Sequence, residues 1–375
     1  MSTSESIGGT YTGVEEMGLF WSMVKQGNSY DRASLVNGSR KLPYKCNVYE
    51  GHLEDFVNES AIVASGDITR HLVDESVTRI TVSEGVVKGT MFIPKGDGPF
   101  PALIILHGGV KMRQLQEQDA AYLASHGFVT LALAFFGVEG LPRSYLESAI
   151  DIEHFERGIE YLQKHPSVSD EDIGVIGASK GAELALSMMT HLPQVKAVCS
   201  LNGSVASIGV STVYKGQHEV EVLSGTPTRA KFRDDGSIDI LDCLDDPKDQ
   251  PKAIIQFERS KADLLMIVGG DDFNWKSDMM AEIAKQKMDD YGKTNYVIQN
   301  YQNIGHFIDP PNLPICAYDY HPIVPIKVKC YFGGSNKALN SKEQGEVWQN
   351  VLEFFKQSLR TVSYTHLTLP TILLV

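Results

Sequence analysis

The chain has 375 residues, of which 42% are apolar and 22% are charged, a composition typical of a globular protein large enough for more than one domain. Its net charge of −13 disfavours nucleic acid, so we expect no DNA or RNA partner. The five cysteines are widely spaced and form no C-x-x-C pair, which argues against a disulfide framework or a zinc site. We expect no metal ion and no cofactor.

Neither a targeting signal nor a membrane span is predicted. The segment MSTSESIGGTYTG has no basic start, no apolar run and no Arg-rich helix, and no stretch reaches about 18 consecutive apolar residues. We therefore expect a cytoplasmic protein without stable membrane insertion, while a mitochondrial or peroxisomal location stays open. The sequence does not reveal the oligomeric state.

Residues 1 to about 90 show a β pattern, and residues 1–80 are assigned to a small N-terminal β domain. The segments KLPYKCNVYEGH and RITVSEGVVKGTMFIPKG alternate apolar and polar residues and contain Gly and Pro, a pattern typical of half-buried strands. The run VSEGVVKGTMFIP indicates a β-hairpin at the end of this region. We place the boundary with the next domain near residue 80.

Residues 81–360 show a different pattern, in which apolar runs alternate with helical stretches. The predicted strands are FPALIILHGG, FVTLALAFFG, DIGVIGAS, VKAVCSLNGS and ADLLMIVGGDD. Near-continuous apolar strands that alternate with helices predict an α/β fold with a mostly parallel sheet and helices on both faces. A last amphipathic helix is expected at residues 343–359, where one face carries Val347, Val351, Phe354 and Phe355.

Residues 361–375 do not continue the sequence pattern of the preceding residues. The segment is apolar, carries little charge and resembles translated library-adapter sequence. We expect a separate tail here, and the sequence leaves open whether it belongs to the natural protein.

The segment DIGVIGASKGAELALSMM places a serine between an apolar strand and an amphipathic helix. Ser179 is flanked by Gly177 and Gly181 in a G-x-S-x-G pattern, and a tight corner at the serine needs small residues at these two positions. Such a corner exposes the hydroxyl near a helix N-terminus, where backbone N–H groups favour a developing negative charge. Ser179 is therefore a candidate nucleophile, and alternatively a helix N-cap.

A serine nucleophile needs a base, and the base needs an acid that orients it. In α/β-hydrolases these residues follow each other in the order Ser, acid, His. The later strand ADLLMIVGG leads to Asp271 and Asp272, and nothing local to the sequence decides between the two carboxylates. His306 follows the next predicted strand and precedes two prolines, which makes it the predicted base, with His321 as the alternative.

An oxyanion hole is expected beside the serine. The backbone N–H of Lys180, directly after Ser179, is one predicted donor. The strand LIILHGGV leads to a loop in which Gly109 is the predicted second donor, since the second donor usually comes from the loop after an early strand. The glycine pair in this loop is alternatively a simple turn.

Together, these segments resemble the acyl-CoA thioesterase and bile acid-CoA:amino acid N-acyltransferase family. The similarity runs from about residue 8 to about residue 359, and its motifs occur in the family's order: GVEEMGLFWSM, GVIGASKGAELALSM, LNGSVA, YKG, VGGDDFNWKS and GHFIDPP. The resemblance implies an immunoglobulin-like β-sandwich followed by an α/β-hydrolase domain. We expect the sandwich to be truncated, because its opening strands are missing.

The same resemblance implies the roles of three residues. Ser179 matches the family's nucleophile, Asp272 its acid and His306 its base. The implied function is hydrolysis of fatty acyl-CoA to free fatty acid and CoA through an acyl-serine intermediate. Candidate cations for the CoA phosphates are Lys111, Arg113, Lys215 and Lys276.

Three alternative functions stay open. The first is acyl transfer to glycine or taurine, although the family's transferases usually carry Cys as the nucleophile and this chain carries Ser179. The second is a general carboxylesterase, because the serine corner and the histidine fit any member of the fold. The third is a binding protein without activity, which the intact order of Ser, Asp and His disfavours.

Overall fold

A computed structural model describes residues 17–22, 41–50, 59–71, 73–108, 112–321 and 328–359. Within these residues the α-helices are α1 (Gly18–Trp21), α2 (Met112–Ser125), α3 (Ile152–Gln163), α4 (Lys180–His191), α5 (Ser277–Asp290) and α6 (Lys337–Ser358). The strands are β1 (Lys41–Tyr49), β2 (Ile62–His71), β3 (Val77–Glu84), β4 (Val87–Pro94), β5 (Phe100–His107), β6 (Val129–Ala134), β7 (Ile150–Asp151), β8 (Val168–Ala178), β9 (Val195–Leu201), β10 (Thr212–Tyr214), β11 (Gln217–His218), β12 (Lys231–Phe232), β13 (Ile238–Asp239), β14 (Asp263–Gly269), β15 (Tyr296–Tyr301), β16 (Tyr318–Tyr320) and β17 (Lys329–Tyr331).

Eight of these strands form one central sheet in the order β15-β14-β9-β8-β5-β6-β4-β3. Strand β4 runs antiparallel to both neighbours, β3 and β6, and the other neighbouring strands are parallel. Parallel strands end at the same edge of a sheet, and ligand sites of open α/β sheets lie outside that edge. The segments that follow β5, β8, β9, β14 and β15 therefore all start on one side of the molecule.

Side chains of the central strands alternate between two buried layers. In β5, Ile104 and Leu106 pack in the layer that contains α3, α4 and α5, whereas Leu103 and Ile105 pack in the layer that contains α2 and α6. A strand that is buried on both faces needs apolar side chains at every position, which explains its continuous apolar sequence. This mostly parallel sheet with helices on both faces confirms the predicted α/β-hydrolase class.

The predicted hairpin is confirmed, but it belongs to the central sheet rather than to an N-terminal β domain. Strands β3 and β4 pair along their full length and form one edge of the eight-stranded sheet, which therefore begins at Val77. Upstream, β1 and β2 form a separate antiparallel pair. The boundary at residue 80 and the immunoglobulin-like sandwich stay predictions. Residues 361–375 lie outside the described residues.

Two small sheets are built from connections that the sequence did not predict as strands. One has the order β11-β10-β7 and the other the order β12-β13-β17-β16. Their strands have only two or three residues, too few for an alternating pattern to be recognised. The second sheet reaches the candidate site, because the N–H of His306 donates to the carbonyl of Phe332, directly after β17, at 2.8 Å.

Helix α6 closes one face of the sheet. It begins at Lys337 rather than at residue 343, because the side chain of Asn336 caps it by accepting a hydrogen bond from the N–H of Leu339. Val347, Val351 and Phe355 are fully buried, as the predicted apolar face requires. In the part of the chain that the structure describes, no helix combines the length and the apolar character needed to cross a membrane.

Candidate active site

Ser179 occupies the corner between β8 and α4, where the backbone is strained. Its φ of 57° and ψ of −124° lie outside the regions that residues other than glycine normally adopt. Strained backbone of this kind persists only where the surrounding structure enforces it, and it is concentrated at functional sites. The side chain caps no N–H group of α4, so the alternative role as a helix N-cap is not supported by the contacts of Ser179.

Steric contacts explain the two glycines of the corner. A Cβ atom on Gly177 would overlap the carbonyl oxygen of Gly181. A Cβ atom on Gly181 would lie 2.5 Å from the carbonyl group of Leu106 in the neighbouring strand β5. Real Cβ atoms do not approach this closely, so β8, α4 and β5 can meet at this point only if both positions lack a side chain.

His306 lies between Ser179 and Asp272. Its Nε2 is 3.0 Å from the hydroxyl of Ser179, and its Nδ1 is 2.9 Å from Oδ2 of Asp272. His306 and Asp272 are each only 7% exposed, so these two side chains are shielded from water, whereas Ser179 is partly exposed. An ionised carboxylate can only accept, so Nδ1 carries the proton and Nε2 presents its lone pair to the serine. This arrangement can remove the proton of the Ser179 hydroxyl.

The two neighbouring aspartates point in different directions. Asp272 accepts hydrogen bonds from His306, from the Ser277 hydroxyl at 2.6 Å and from the N–H of Asn274 at 2.8 Å. Asp271 instead accepts from the backbone N–H of Gly334 at 2.7 Å, in the segment that follows β17. The structure therefore brings Asp272, and not Asp271, to the imidazole.

Asn202 joins the loops that carry the acid and the histidine. Its Oδ1 accepts from the N–H of Gly269 at 2.6 Å, and its Nδ2 donates to the carbonyls of Gly305 and His306 at 2.8 and 3.1 Å. Its own carbonyl accepts from the indole N–H of Trp275 at 3.0 Å. Asn202 has a φ of 44°, a left-handed conformation that asparagine tolerates better than most residues.

Aromatic side chains and one further amide surround the imidazole of His306. Trp275 packs edge-on against it, with ring centroids 5.1 Å apart. The ring centroid of Phe332 lies 5.9 Å from that of His306. The Nδ2 atom of Asn274 lies 3.2 Å from Nε2 of His306. The two aromatic contacts restrict the ring to the orientation that faces Ser179.

Gly108, directly after β5, lies against the serine corner. A Cβ atom on Gly108 would lie 2.6 Å from the backbone nitrogen of Lys180 and 3.1 Å from Cβ of Ser179. This is the position that a loop must occupy to place a second donor beside the N–H of Lys180. Gly109, the predicted second donor, lies outside the described residues, so the oxyanion hole stays a prediction.

The side chain of Lys180 makes a buried ion pair with Glu183, at 2.6 Å. The Lys180 ammonium also donates to the carbonyls of Ile208 and Val210, and the N–H of Ile208 donates to Glu183. Burial raises the pKa of the Glu183 carboxyl to about 7, and Lys180 opposes this rise. The pair ties residues 207–210 to the first turn of α4, beside the nucleophile.

The structure describes the side chains of two of the four predicted CoA-binding cations. Lys215 is exposed on the β10–β11 turn, with its ammonium 4.9 Å from the ring centroid of Tyr214. Lys276 forms an ion pair with Asp242 at 2.8 Å. Lys111 lies outside the described residues, and Arg113 lies in α2 with a side chain that the structure does not describe. Their role in binding CoA stays a prediction.

His321, the alternative base, lies next to the relay without being part of it. Its ring stacks on Phe332, with ring centroids 6.1 Å apart. Burial, and in addition the nearby His306, lower the pKa of His321 to about 4. The ring that contacts both Ser179 and Asp272 is that of His306.

Sequence reasoning gave no role to Asn202, Asn274 or Ser277, although all three contact the relay or its loops. Asn202 follows the last residue of β9, Asn274 lies in the same loop as Asp272 after β14, and Ser277 is the first residue of α5. A polar residue just after a buried parallel strand was the available signal, because such positions share one edge of the sheet. The segments LNGSVA and VGGDDFNWKS contain these residues.

Two family profiles match the chain. The one described as BAAT / Acyl-CoA thioester hydrolase C terminal matches residues 150–361, and the one described as Acyl-CoA thioester hydrolase/BAAT N-terminal region matches residues 1–84. The first match contains Ser179, Asp272 and His306 together. The second match ends in β3, at the start of the central sheet.

Curated relatives are similar along nearly the whole chain. Rat acyl-coenzyme A thioesterase 2, mitochondrial, is 34% identical over 361 residues, which are 96% of this chain and 77% of the relative. Rat acyl-coenzyme A thioesterase 1 is 34% identical over 361 residues, covering 96% and 83% of the two chains. Mouse peroxisomal succinyl-coenzyme A thioesterase is 34% identical over 358 residues, covering 94% and 82%.

Proposed function

The chain belongs to the family of acyl-CoA thioester hydrolases and BAAT proteins, as its motifs predicted, and from this premise we propose that it hydrolyses fatty acyl-CoA to free acid and CoA. One observation carries the proposal. Ser179, His306 and Asp272 form a continuous hydrogen-bonded relay, with distances of 3.0 and 2.9 Å, at a strained strand-to-helix corner. A relay of this kind activates a hydroxyl for attack on a carbonyl carbon.

In the first half-reaction, Oγ of Ser179 attacks the thioester carbonyl while its proton passes to Nε2 of His306. The negative charge that develops on the carbonyl oxygen is stabilised by the N–H of Lys180 and by an N–H of the loop that contains Gly109. When the carbon–sulfur bond breaks, CoA leaves as a thiolate, which requires little acid assistance because thiols ionise readily. The sulfur then takes up the proton from His306.

In the second half-reaction, a water molecule gives one proton to Nε2 of His306, and its oxygen bonds to the acyl carbon. The bond from that carbon to Oγ of Ser179 breaks, and the serine recovers the proton from His306. Asp272 stabilises the imidazolium in both halves, because its carboxylate accepts the Nδ1 hydrogen throughout. The products are a free acid and the regenerated serine.

Several finer assignments belong to the same proposal. The CoA phosphates need cations, and Lys111, Arg113, Lys215 and Lys276 remain the candidates. The relatives' names include a mitochondrial and a peroxisomal enzyme and mention succinyl-CoA, so neither the cytoplasmic location nor the acyl-chain length follows from the family.

The decisive experiment replaces Ser179 by alanine and follows thiol release from palmitoyl-CoA. We expect kcat to fall by about 10⁴-fold or more, because loss of a triad nucleophile removes covalent catalysis. Ser187→Ala is the matched control, since Ser187 lies in α4, the helix that follows Ser179, is fully buried and has a hydroxyl without a hydrogen-bond partner in the described part of the chain. Turnover by Ser179→Ala at the level of Ser187→Ala would end the proposal.

Product analysis separates hydrolysis from the alternatives. Mass spectrometry of reactions that contain acyl-CoA with glycine or taurine should find free acid and no amide. An amide product would make the chain a transferase that uses the same relay. A general carboxylesterase would instead hydrolyse oxyesters of the same acyl group as fast as the CoA thioester.

A further inference from the structure

The amide of Asn274 lies beside the reacting nitrogen of His306. Its Nδ2 is 3.2 Å from Nε2 of His306, and the same nitrogen is 3.0 Å from Oγ of Ser179. Asn274 is 5% exposed, and its Oδ1 is fully buried with no hydrogen-bond partner among the described residues. The atom that faces the reacting nitrogen is therefore Nδ2, the hydrogen-bond donor of the amide.

A purely structural role does not explain this side chain. The backbone N–H of Asn274 already holds the loop by donating to Oδ1 of Asp272 at 2.8 Å. His306 is oriented from its other nitrogen, through Nδ1 and Asp272. Since Nε2 of a neutral imidazole has a single lone pair, the serine hydroxyl and the Asn274 amide compete for it in the resting enzyme.

We infer that Asn274 is a further catalytic residue, which orients the water molecule that hydrolyses the acyl-serine. The inference rests on the function proposed above. Once Oγ of Ser179 carries the acyl group, it has no proton to donate, and the Nε2 lone pair must accept from the second nucleophile. A water molecule beside Nε2 lies within reach of the Asn274 amide.

The water then has one partner for a hydrogen and another for a lone pair. One hydrogen is donated to Nε2 of His306 and passes to it as the water oxygen bonds to the acyl carbon. The water oxygen accepts a hydrogen bond from Nδ2 of Asn274 through one lone pair, and its second hydrogen remains on the new carboxylic acid when the carbon–oxygen bond to Ser179 breaks. A lone pair of the water is thereby directed at the carbonyl carbon, which is the orientation that attack requires.

The test measures the two half-reactions separately in Asn274→Leu and Asn274→Ser. Enzyme in excess is mixed with palmitoyl-CoA, thiol release reports acylation, and release of free palmitate reports deacylation. Intact-protein mass spectrometry follows the acyl-enzyme. We expect deacylation to slow by about 10- to 100-fold, because the water molecule loses a contact that orients it. Thiol release should stay within about threefold of the wild-type rate. The acyl-enzyme should then accumulate.

The control is Ser277→Ala, which removes the 2.6 Å hydrogen bond to Asp272 and should slow both half-reactions, because both use the relay. If both Asn274 variants slow acylation and deacylation equally, or leave both unchanged, the inference is wrong. Two variants are used because they test different properties of the side chain. Leucine has about the size of asparagine but no polar atom in its side chain, whereas serine keeps a polar group that is too short to reach the water molecule. A failure of the proposed function is distinct, since the wild-type protein would then release no free palmitate.

Discussion

Replacing Asn202 with alanine should destabilise the site and slow catalysis together. The side chain accepts from the N–H of Gly269 at 2.6 Å and donates to the carbonyls of Gly305 and His306 at 2.8 and 3.1 Å. Asn202 is 1% exposed, so the alanine variant leaves three polar backbone groups without this partner where water does not reach. These groups belong to the end of β14, which leads to Asp272, and to the loop that carries His306.

The expected loss of stability follows from these contacts. Each buried polar group that loses its partner costs about 1–3 kcal/mol, and partial relaxation of the loops limits the sum to about 3–5 kcal/mol. Asn202 also has a φ of 44°, where alanine is disfavoured by about 1–2 kcal/mol and glycine is not. Asn202→Gly should therefore be more stable than Asn202→Ala by about 1 kcal/mol, although it loses the same hydrogen bonds.

Urea unfolding measures the free energy of unfolding, and thiol release from palmitoyl-CoA measures kcat. We expect Asn202→Ala to lower kcat by about 100-fold, because a small displacement of catalytic groups has effects of this size. Asn350→Ala is the control, since its amide bonds to the side chains of Gln299 and Tyr301, away from the relay, at 3.1 and 2.8 Å. If Asn202→Ala matches this control in both measurements, the reasoning about the two loops is refuted.

Two further predictions concern the acid and the serine corner. Ser277→Ala should lower steady-state kcat by about 10-fold, since the Asp272 carboxylate loses a 2.6 Å charge-assisted hydrogen bond. An unchanged kcat would show that this hydrogen bond does not position the carboxylate of Asp272. Gly181→Ala should destabilise the protein by about 3 kcal/mol or more in urea unfolding, because its Cβ would lie 2.5 Å from backbone atoms of β5. Gly345→Ala should instead stabilise the protein by about 0.5–1 kcal/mol, because a Cβ atom at this position of α6 would have, among the described residues, no atom within 4 Å beyond its chain neighbours and the helix backbone. Equal effects of the two substitutions on the free energy of unfolding would contradict the steric argument.

The order of the central strands and helices could be predicted because its causes are local. Strands such as β5 and β14 are buried on both faces, so their sequences are continuous apolar runs that stand out from the flanking helices. The serine corner is also encoded locally, since close backbone approach excludes side chains at Gly177 and Gly181. The hairpin of β3 and β4 was predicted as well, but its place in the central sheet depends on the long-range pairing of β4 with β6.

The tertiary structure decided which of several similar residues meet. Asp271 and Asp272 are neighbours in sequence, yet one bonds to Gly334 and the other to His306, because the turn after β14 sends their side chains to opposite sides. The sequence by itself determined the fold class, the serine corner and the family, since these depend on burial periodicity and close packing within short segments. The partners of Asn202 and Asn274 depend instead on segments that are distant in sequence and meet only where parallel strands end at a common edge.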